Sequence, residues 1–337
     1  MTNRQIVLRS RPEAAPSADN FEMVTASVPP VPDGGVLRQT IYLSLDPYMR
    51  GRMSDAPSYA PSVAIGQIMV GHTVSHVVES KNPGFARGDL VTGYDGWQEY
   101  GLSSGKELRK LDPASAPIST AVGILGMPGM TAYVGLLDIG QPKAGETVVV
   151  SAASGAVGGI VGQIAKIKGC RAVGVAGSQE KCDYVVRELG FDACVSYKSD
   201  TFRDDLAAAC PSGIDVYFDN VGGAVFAAAL RLLTVNARIP LCGTISDYNA
   251  GKPPSGPNLR PLLVKRALIK GFIVSDHNDR APAFLNDCSA WLREGKLKYR
   301  EDIVDGLEQA PSALLKLFAG TNFGKLIVRV SPDPTRT

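Results

Sequence analysis

The stretch Thr147-Val148-Val149-Val150-Ser151-Ala152-Ala153-Ser154-Gly155-Ala156-Val157-Gly158-Gly159 sets an apolar, β-branched run against a glycine-rich turn. The run Thr147–Ala152 has the composition of a buried strand, and Val157–Gly169 follows as a helix of small residues. Strand, glycine turn and helix in that order are what a dinucleotide site requires. Glycine lets the backbone approach a pyrophosphate, and free amides at the helix start face its charge. The spacing is incomplete, because Ser151 and Ala153 stand where an earlier glycine would be. A tight structural turn with no ligand is the alternative reading.

Downstream texture favours the dinucleotide. Strands are predicted at Arg171–Ala176, Ala193–Tyr197, Ile214–Asp219, Arg238–Cys242 and Ala267–Val274. Helices are predicted at Gln179–Leu189, Asp200–Ala209, Ala224–Leu233 and Pro282–Glu294. Such alternation predicts an α/β, doubly wound parallel sheet with helices on both faces. Upstream, about 120 residues carry Pro and Gly throughout and only short β-type runs, at Gly35–Leu43, Gln67–Val78 and Asp89–Thr92. That part reads as a compact, mostly β domain, and a last strand is expected at Lys325–Val330.

Composition sets the outer bounds. A chain of 337 residues suits about two domains. With 35 Lys and Arg against 33 Asp and Glu, the formal charge is 35 − 33 = +2, which offers no footprint for nucleic acid or an anionic membrane. No apolar window approaches roughly 18 residues, so no transmembrane helix is expected. The apolar run near the start, Ile6-Val7-Leu8, is too short for a signal-peptide core, so the expected location is the cytoplasm. The six cysteines all lie at or beyond Cys170, and none forms a CxxC pair.

The second strand ends Val175-Ala176-Gly177-Ser178-Gln179-Glu180-Lys181. NAD sites of this fold place an acidic residue there for the adenosine ribose. Here Gly177 and Ser178 occupy the tip and Lys181 follows within one helical turn, which suits a 2′-phosphate and hence NADPH. Glu180 as the acidic reader, with Lys181 as a solvated helix charge, is the competing reading.

Several strings along the chain are highly specific: Leu45-Asp46-Pro47-Tyr48-Met49-Arg50-Gly51-Arg52-Met53, Leu125-Gly126-Met127-Pro128-Gly129-Met130-Thr131-Ala132-Tyr133, Phe218-Asp219-Asn220-Val221-Gly222-Gly223, Cys242-Gly243-Thr244-Ile245-Ser246-Asp247-Tyr248-Asn249 and Asn322-Phe323-Gly324-Lys325. With Val78–Asn82 and the glycine turn, they resemble the medium-chain dehydrogenase/reductase superfamily. More narrowly they resemble its zinc-independent prostaglandin/leukotriene reductase and alkenal double-bond reductase (curcumin reductase-like) branch. The resemblance implies a GroES-like catalytic domain over 1–126 and 295–337 and a Rossmann NADPH-binding domain over 127–294.

The resemblance also implies contacts. Gly155, Ala156, Val157 and Gly158 would carry the pyrophosphate. Ser178, Lys181 and Tyr197 would meet the adenosine 2′-phosphate region. Asn220 would lie near the nicotinamide ribose, and Met127 and Thr131 beside the carboxamide. Cys242, Gly243, Thr244, Ile245, Ser246 and Tyr248, with Phe272, Ile273 and Val274, would line the nicotinamide. Asn322 would reach back to the cofactor. Plainer readings stand beside these: turn caps for Asn220 and Asn322, core or gap filling for Met127, Cys242, Phe272 and Val274, and a surface turn for Tyr248.

Zinc dehydrogenases of the superfamily need Cys and His ligands. Asp46 stands near the first ligand position, Gly71-His72-Thr73 keeps the His but lacks the following Glu, and no Cys precedes position 170. No metal is expected. A substrate that needs no Lewis acid is an α,β-unsaturated ketone or aldehyde: hydride adds to the β-carbon and hydrogen-bond donors hold the enolate oxygen. Tyr248 is the candidate catalytic donor and Tyr48 the second; packing between domains is the alternative for Tyr48. Arg50 and Arg52 read as fold-supporting ion-pair residues. The Pro- and Gly-rich loop Asn249–Arg260 reads as a lid. A quinone oxidoreductase and a non-catalytic NADPH-binding sensor are the competing functions. A small-molecule enone or enal is the expected partner, with no nucleic acid and no membrane. A homodimer is the family expectation.

Overall fold

The computed structural model describes residues 1–250 and 256–336. Two compact units divide the chain: Met1–Gly123 with Glu301–Asn322 and Leu326–Thr337, and Ile124–Arg300 with Phe323–Lys325.

The first unit opens with β1 (Thr2–Leu8) and β2 (Phe21–Ser27). It continues through β3 (Val36–Ser44), α1 (Met49–Arg52), β4 (Thr73–Ser80), β5 (Leu90–Gly93), β6 (Tyr100–Ser103) and β7 (Arg109–Lys110). The second holds α2 (Met127–Val134), β8 (Thr147–Ser151), α3 (Gly158–Ile167), β9 (Arg171–Ala176), α4 (Gln179–Arg187), β10 (Ala193–Ser196), α5 (Phe202–Ala209) and β11 (Ile214–Phe218). It goes on with α6 (Gly223–Leu230), β12 (Leu233–Leu241), α7 (Arg260–Lys265), β13 (Leu268–Gly271) and α8 (Ala281–Arg293). The chain then forms β14 (Glu301–Asp305), α9 (Ala310–Phe318) and β15 (Lys325–Arg329).

In the second unit the strands lie in the order β10-β9-β8-β11-β12-β13, and every neighbouring pair is parallel. This is the doubly wound order, with the direction of winding reversing between β8 and β11. The pleat of β8 sends Val148 and Val150 to one face and Val149 to the other. Val148 and Val150 pack with Ile160, Val161 and Ile164 of α3 and with Phe284 and Cys288 of α8. Val149 packs with Leu206 of α5 and with Val225 and Phe226 of α6. Each such aliphatic side chain contributes about 1.5–3 kcal/mol when fully buried, so the sheet is stabilised from both sides. Close packing sets some residues outright: a Cβ on Gly162 of α3 would lie 1.8 Å from Phe191 Cζ.

Three expected boundaries move. β12 begins at Leu233, where the preceding helix was expected to end, because Ile214 at the start of β11 already pairs with Leu233. β13 stops at Gly271, since Leu241↔Gly271 is the last pair with β12, and Val274 lies in a 3₁₀ turn. The expected strand Gln67–Val78 is regular only from Thr73. Before it the backbone is spent on β1 and on Trp97: Leu8 N donates to Gln67 O, Met69 N to Ile6 O, and Trp97 N to Met69 O.

The first unit carries a two-stranded β1-β2 ribbon and a sheet ordered β14-β15-β3-β4-β5-β7, with β6 also on β3. The pairs of β3 with β4, β6 and β15 are antiparallel. Leu43, Met49, Met69 and Trp97 share one cluster with Leu307 and Leu314 of the C-terminal return. Arg50 makes no ion pair among the described residues: its guanidinium donates to the main-chain oxygens of Ala14 (2.8 Å) and Pro12 (3.3 Å). It is therefore a loop clamp, and burial lowers its pKa.

A buried pair ties the sheet together. Arg38 on β3 meets Asp95, with Nε donating to Oδ2 at 3.2 Å and Nη2 to Oδ1. Thr73 and Ser75 of β4 also donate to Asp95, and Arg38 donates to Ser103 of β6. Both side chains are only 3% exposed, so neither charge can turn to water. Breaking such a pair from one side costs about 3–5 kcal/mol. Asp95→Ala is expected to lower the urea unfolding free energy by about that amount. A change below about 1 kcal/mol would mean that water or a rearranged partner takes its place.

Candidate active site

The carboxyl ends of β8, β9, β11 and β12 gather most of the residues singled out in the sequence. At the end of β8 the chain turns through Ala152, which adopts φ +53°, the left-handed region that usually goes to glycine. The left-handed residue is Ala152, next to Ala153, which stands two before Gly155 where the motif's first glycine would be. Ala153 N donates to Val175 O of β9 (3.0 Å) and Gly155 N to Ala152 O (2.9 Å), which closes the turn. Gly158 has no room for a side chain, since its Cβ would lie 2.3 Å from Ala152 O. The amides of Gly155, Gly159, Ile160 and Val161 are consumed inside the turn and first helical turn. Those of Ala156, Val157 and Gly158 make no hydrogen bond among the described residues. Free amides at the start of the ten-residue α3, beside a backbone that excludes side chains, fit a pyrophosphate. Gly324 runs alongside this turn in a parallel bridge with Gly155, and the Arg300 guanidinium stacks on Phe323 at 3.8 Å.

A second group forms at the tip of β9. Ser178 is the N-cap of α4, its hydroxyl accepting from Lys181 N at 3.3 Å. Tyr197 follows β10, its amide bonded to Ala176 O. Its phenol lies over Gly177, where a Cβ would be 3.1 Å from the hydroxyl. Gly177 is therefore needed for the tyrosine to reach the strand tip. Ser178 and Lys181 share the first turn of α4, and Tyr197, 43% exposed, reaches Gly177 just before it, with Glu180 exposed on the same turn.

A third group surrounds β11 and β12. Asn220 donates through Nδ2 to Ser151 O and through its amide to Ser151 Oγ, both at 2.8 Å. The loop after β12 folds back on the same turn: Cys242 N donates to Asp219 O (2.8 Å), Ile245 N to Asn220 O (3.4 Å) and Ser246 N to Val221 O (3.1 Å). Cys242, Gly243, Thr244, Tyr248, Phe272 and Ile273 line an open cleft of about 400 Å³. Tyr248 is half-buried, and its hydroxyl lies over Gly243, whose Cβ would be 3.0 Å away. Burial pushes the Cys242 thiol up to about 12, so it faces the cleft as a neutral group. Phe272 meets Phe218 edge to face at 6.2 Å. Gly135 leaves room for it, since a Cβ there would lie 2.6 Å from the Phe272 ring.

The other predicted positions differ in kind. Met127 opens α2, and Thr131 donates back to Met127 O at 2.8 Å. Val274 sits in the 3₁₀ turn after the cleft. Asn322 falls in the first unit. Tyr48, also in that unit, caps α1 and is half-buried. Burial, then the neighbouring Asp46, hold its phenol well above the ordinary tyrosine range, so it stays a donor. His72 stacks its ring on Tyr94 at 4.1 Å. Of the suspected lid Asn249–Arg260, residues 251–255 lie outside the described residues. Among the described residues, no three His, Cys, Asp or Glu side chains cluster as a metal site would require. Sequence reading passed over Asp219 and Ser151, whose side chains meet beneath the Asn220 turn; a charged residue ending the apolar run Val216-Tyr217-Phe218 was the available signal.

Residues 4–111 match the family model described as N-terminal domain of oxidoreductase, and residues 156–289 the one described as zinc-binding dehydrogenase. The NADPH-dependent curcumin reductase of Escherichia coli (strain K12) is 54% identical over 337 residues, covering 98% of each chain. The 2-alkenal reductase (NADP(+)-dependent) of Nicotiana tabacum is 43% identical over 99% of each. The crystal structure of CurA in complex with NADPH from Vibrio vulnificus superposes with a TM-score of 0.94 at 50% identity, covering 98% of this chain and 100% of that one. Identity of this extent over nearly the whole chain places both units in one lineage. The chain belongs to the zinc-independent medium-chain dehydrogenase/reductase family, alongside curcumin, alkenal and prostaglandin reductases.

Proposed function

We propose that this protein reduces the carbon–carbon double bond of α,β-unsaturated ketones or aldehydes with NADPH. The observation that carries this is the gathering, at one end of one parallel sheet, of three groups in the order a dinucleotide requires. They are a glycine turn with unspent amides and no room for a side chain at Gly158, a Ser178-Lys181-Tyr197 group, and an open cleft with a phenol at its wall. The names of the relatives, which include curcumin, alkenal and pulegone reductases, support the same reading. In it, residues 127–294 are the cofactor domain and residues 1–126 with 295–337 the catalytic one.

The bound cofactor supplies a hydride. What the chain supplies is placement and charge. Amides of Ala156, Val157 and Gly158 hold the pyrophosphate. Lys181 and Tyr197 meet the 2′-phosphate, with Ser178 beside them, and this cation is what favours NADPH over NADH. Asn220, having spent Nδ2 on Ser151, offers Oδ1 to a ribose hydroxyl. Met127 and Thr131 face the carboxamide, the Cys242–Tyr248 loop and Phe272–Val274 wall the nicotinamide, and Asn322 reaches the cofactor. The Tyr248 hydroxyl donates to the substrate carbonyl oxygen as negative charge gathers there, and Tyr48 is the second donor. The cleft wall would hold the alkene at about 3–3.5 Å from the hydride.

The chain is further proposed to act in the cytoplasm as a homodimer. β13 is the edge of the six-stranded sheet and all four of its residues are exposed. Leu268, Ile269 and, on α7, Leu263 and Val264 add apolar side chains to that edge. Such an edge is a template for a second copy. Among the described residues, no helix is long and apolar enough to cross a membrane.

Absorbance at 340 nm with an aryl enone, a long-chain alkenal and a quinone tests the activity, with NADH run beside NADPH. Rapid NADPH oxidation with the enone or alkenal is expected; oxidation with the quinone alone, or with none, would overturn the reading. Lys181→Ala is expected to raise the Michaelis constant for NADPH by about tenfold or more and leave that for NADH nearly unchanged. Tyr248→Phe is expected to lower turnover by about 10²-fold while NADPH affinity stays within a few-fold. Wild-type turnover in that variant would remove the phenol from the mechanism. Light scattering should give twice 35.6 kDa.

A further inference from the structure

The side chain that organises the nicotinamide end of the site does not itself line it. Asp219 follows β11 directly and has 0% exposure. Its Oδ1 accepts from Tyr217 OH (2.8 Å), Ser151 Oγ (2.9 Å), Val221 N (3.0 Å) and Gly222 N (3.1 Å), and Oδ2 accepts from Gly222 N (3.1 Å). Every one of these partners donates. The pattern fits a carboxylate; an amide of the same size could keep the four bonds on Oδ1 but would turn its N–H hydrogens toward Gly222 N at the Oδ2 position.

Each bond fixes a piece of the cleft. The bond to Ser151 turns that hydroxyl so that its lone pair accepts from Asn220 N, while Ser151 O accepts from Asn220 Nδ2. The bonds to Val221 and Gly222 hold a turn in which Gly222 and Gly223 adopt φ +74° and +55°. On that turn rests the loop carrying Tyr248. Gly222 lies under Thr244, where a Cβ would meet the Thr244 Cβ at 3.2 Å, and Ser246 N bonds to Val221 O. Burial raises the carboxyl pKa of Asp219 above the ordinary value, and the donors around it, the Val221 and Gly222 amides first, offset that only in part.

We infer that Asp219 is a positioning residue: its carboxylate, through Ser151 and the Val221–Gly222 amides, sets the Asn220 side chain and the Thr244–Tyr248 loop against the nicotinamide half of the cofactor. The adenosine half depends on other strands, since Ser178 and Lys181 follow β9 and Tyr197 follows β10. This rests on the cofactor reading proposed above.

The test compares two ligands on the full-length protein: NADPH, and adenosine 2′,5′-bisphosphate, which lacks the nicotinamide. Asp219→Asn keeps size, removes the charge and replaces the Oδ2 acceptor by a donor. Because Oδ1 keeps its four bonds and only the charge and the Oδ2 acceptor are lost, it is expected to weaken NADPH by several-fold to about tenfold and to leave the bisphosphate within about twofold, with turnover at saturating NADPH also reduced. Equal weakening of both ligands would mean a merely structural role, and no change in either would mean no role; either overturns the inference. Should Asp219→Asn fail to fold, Ser151→Ala decides in its place, with a smaller loss of NADPH affinity and the same split between ligands. Lys181→Ala reports separately on the cofactor reading, because it should weaken both ligands. If it weakens neither, that reading fails while the Asp219→Asn comparison still decides this one.

Discussion

The hydrogen bond from Ser151 to Asp219 spans the place where the sheet reverses its order of winding. Strands β8 and β11 are neighbours, yet the chain leaves them toward opposite edges of the sheet: β9 and β10 lie beyond β8, and β12 and β13 beyond β11. Their connections diverge and leave a crevice above the carboxyl ends. A crevice between two strand tips exposes main-chain groups that need partners. Here the amides of Asn220, Val221 and Gly222 are satisfied by one serine hydroxyl and one carboxylate, and the carbonyls of Asp219, Asn220 and Val221 by the loop after β12.

Rigidity and access are thus separated. The sheet core beneath is closed on both faces by aliphatic packing, and glycine appears where that packing leaves no space, as at Gly162 against Phe191. Above it, glycine serves another purpose. Gly158 and Gly177 admit the backbone of the turn and the ring of Tyr197, and Gly243 admits Tyr248. The same residue type therefore marks tight packing below the strand ends and ligand-facing surface at them, and only position in the fold tells the two apart.

In the first unit a different device does the joining. An antiparallel sheet assembled from short strands distant in sequence has few local contacts, and the Arg38–Asp95 pair gathers β3, β4 and β6 around one buried charge pair. Arg50 had looked like a partner in a similar pair, but it binds two main-chain oxygens of the loop after β1. An arginine's five donors satisfy carbonyls as readily as carboxylates, and sequence does not say which will be near.

The sequence by itself determined the order of strands and helices in the second unit, because period and glycine punctuation are local: Thr147–Ser151 into Gly158, and Arg171–Ala176 into Ser178, could be read within a dozen residues. It determined the family as well, through strings such as Asp46-Pro47-Tyr48-Met49-Arg50 whose residues are adjacent in the chain. The early start of β12 and the short β13 were not legible, since each depends on which strand supplies the next pair. Nor was the partnership of Ser151 with Asp219, 68 residues apart, or of Gly177 with Tyr197. Those contacts exist only once parallel strands are in register, and register is set by burial on both faces of the sheet, a property of the folded chain and not of any segment in it.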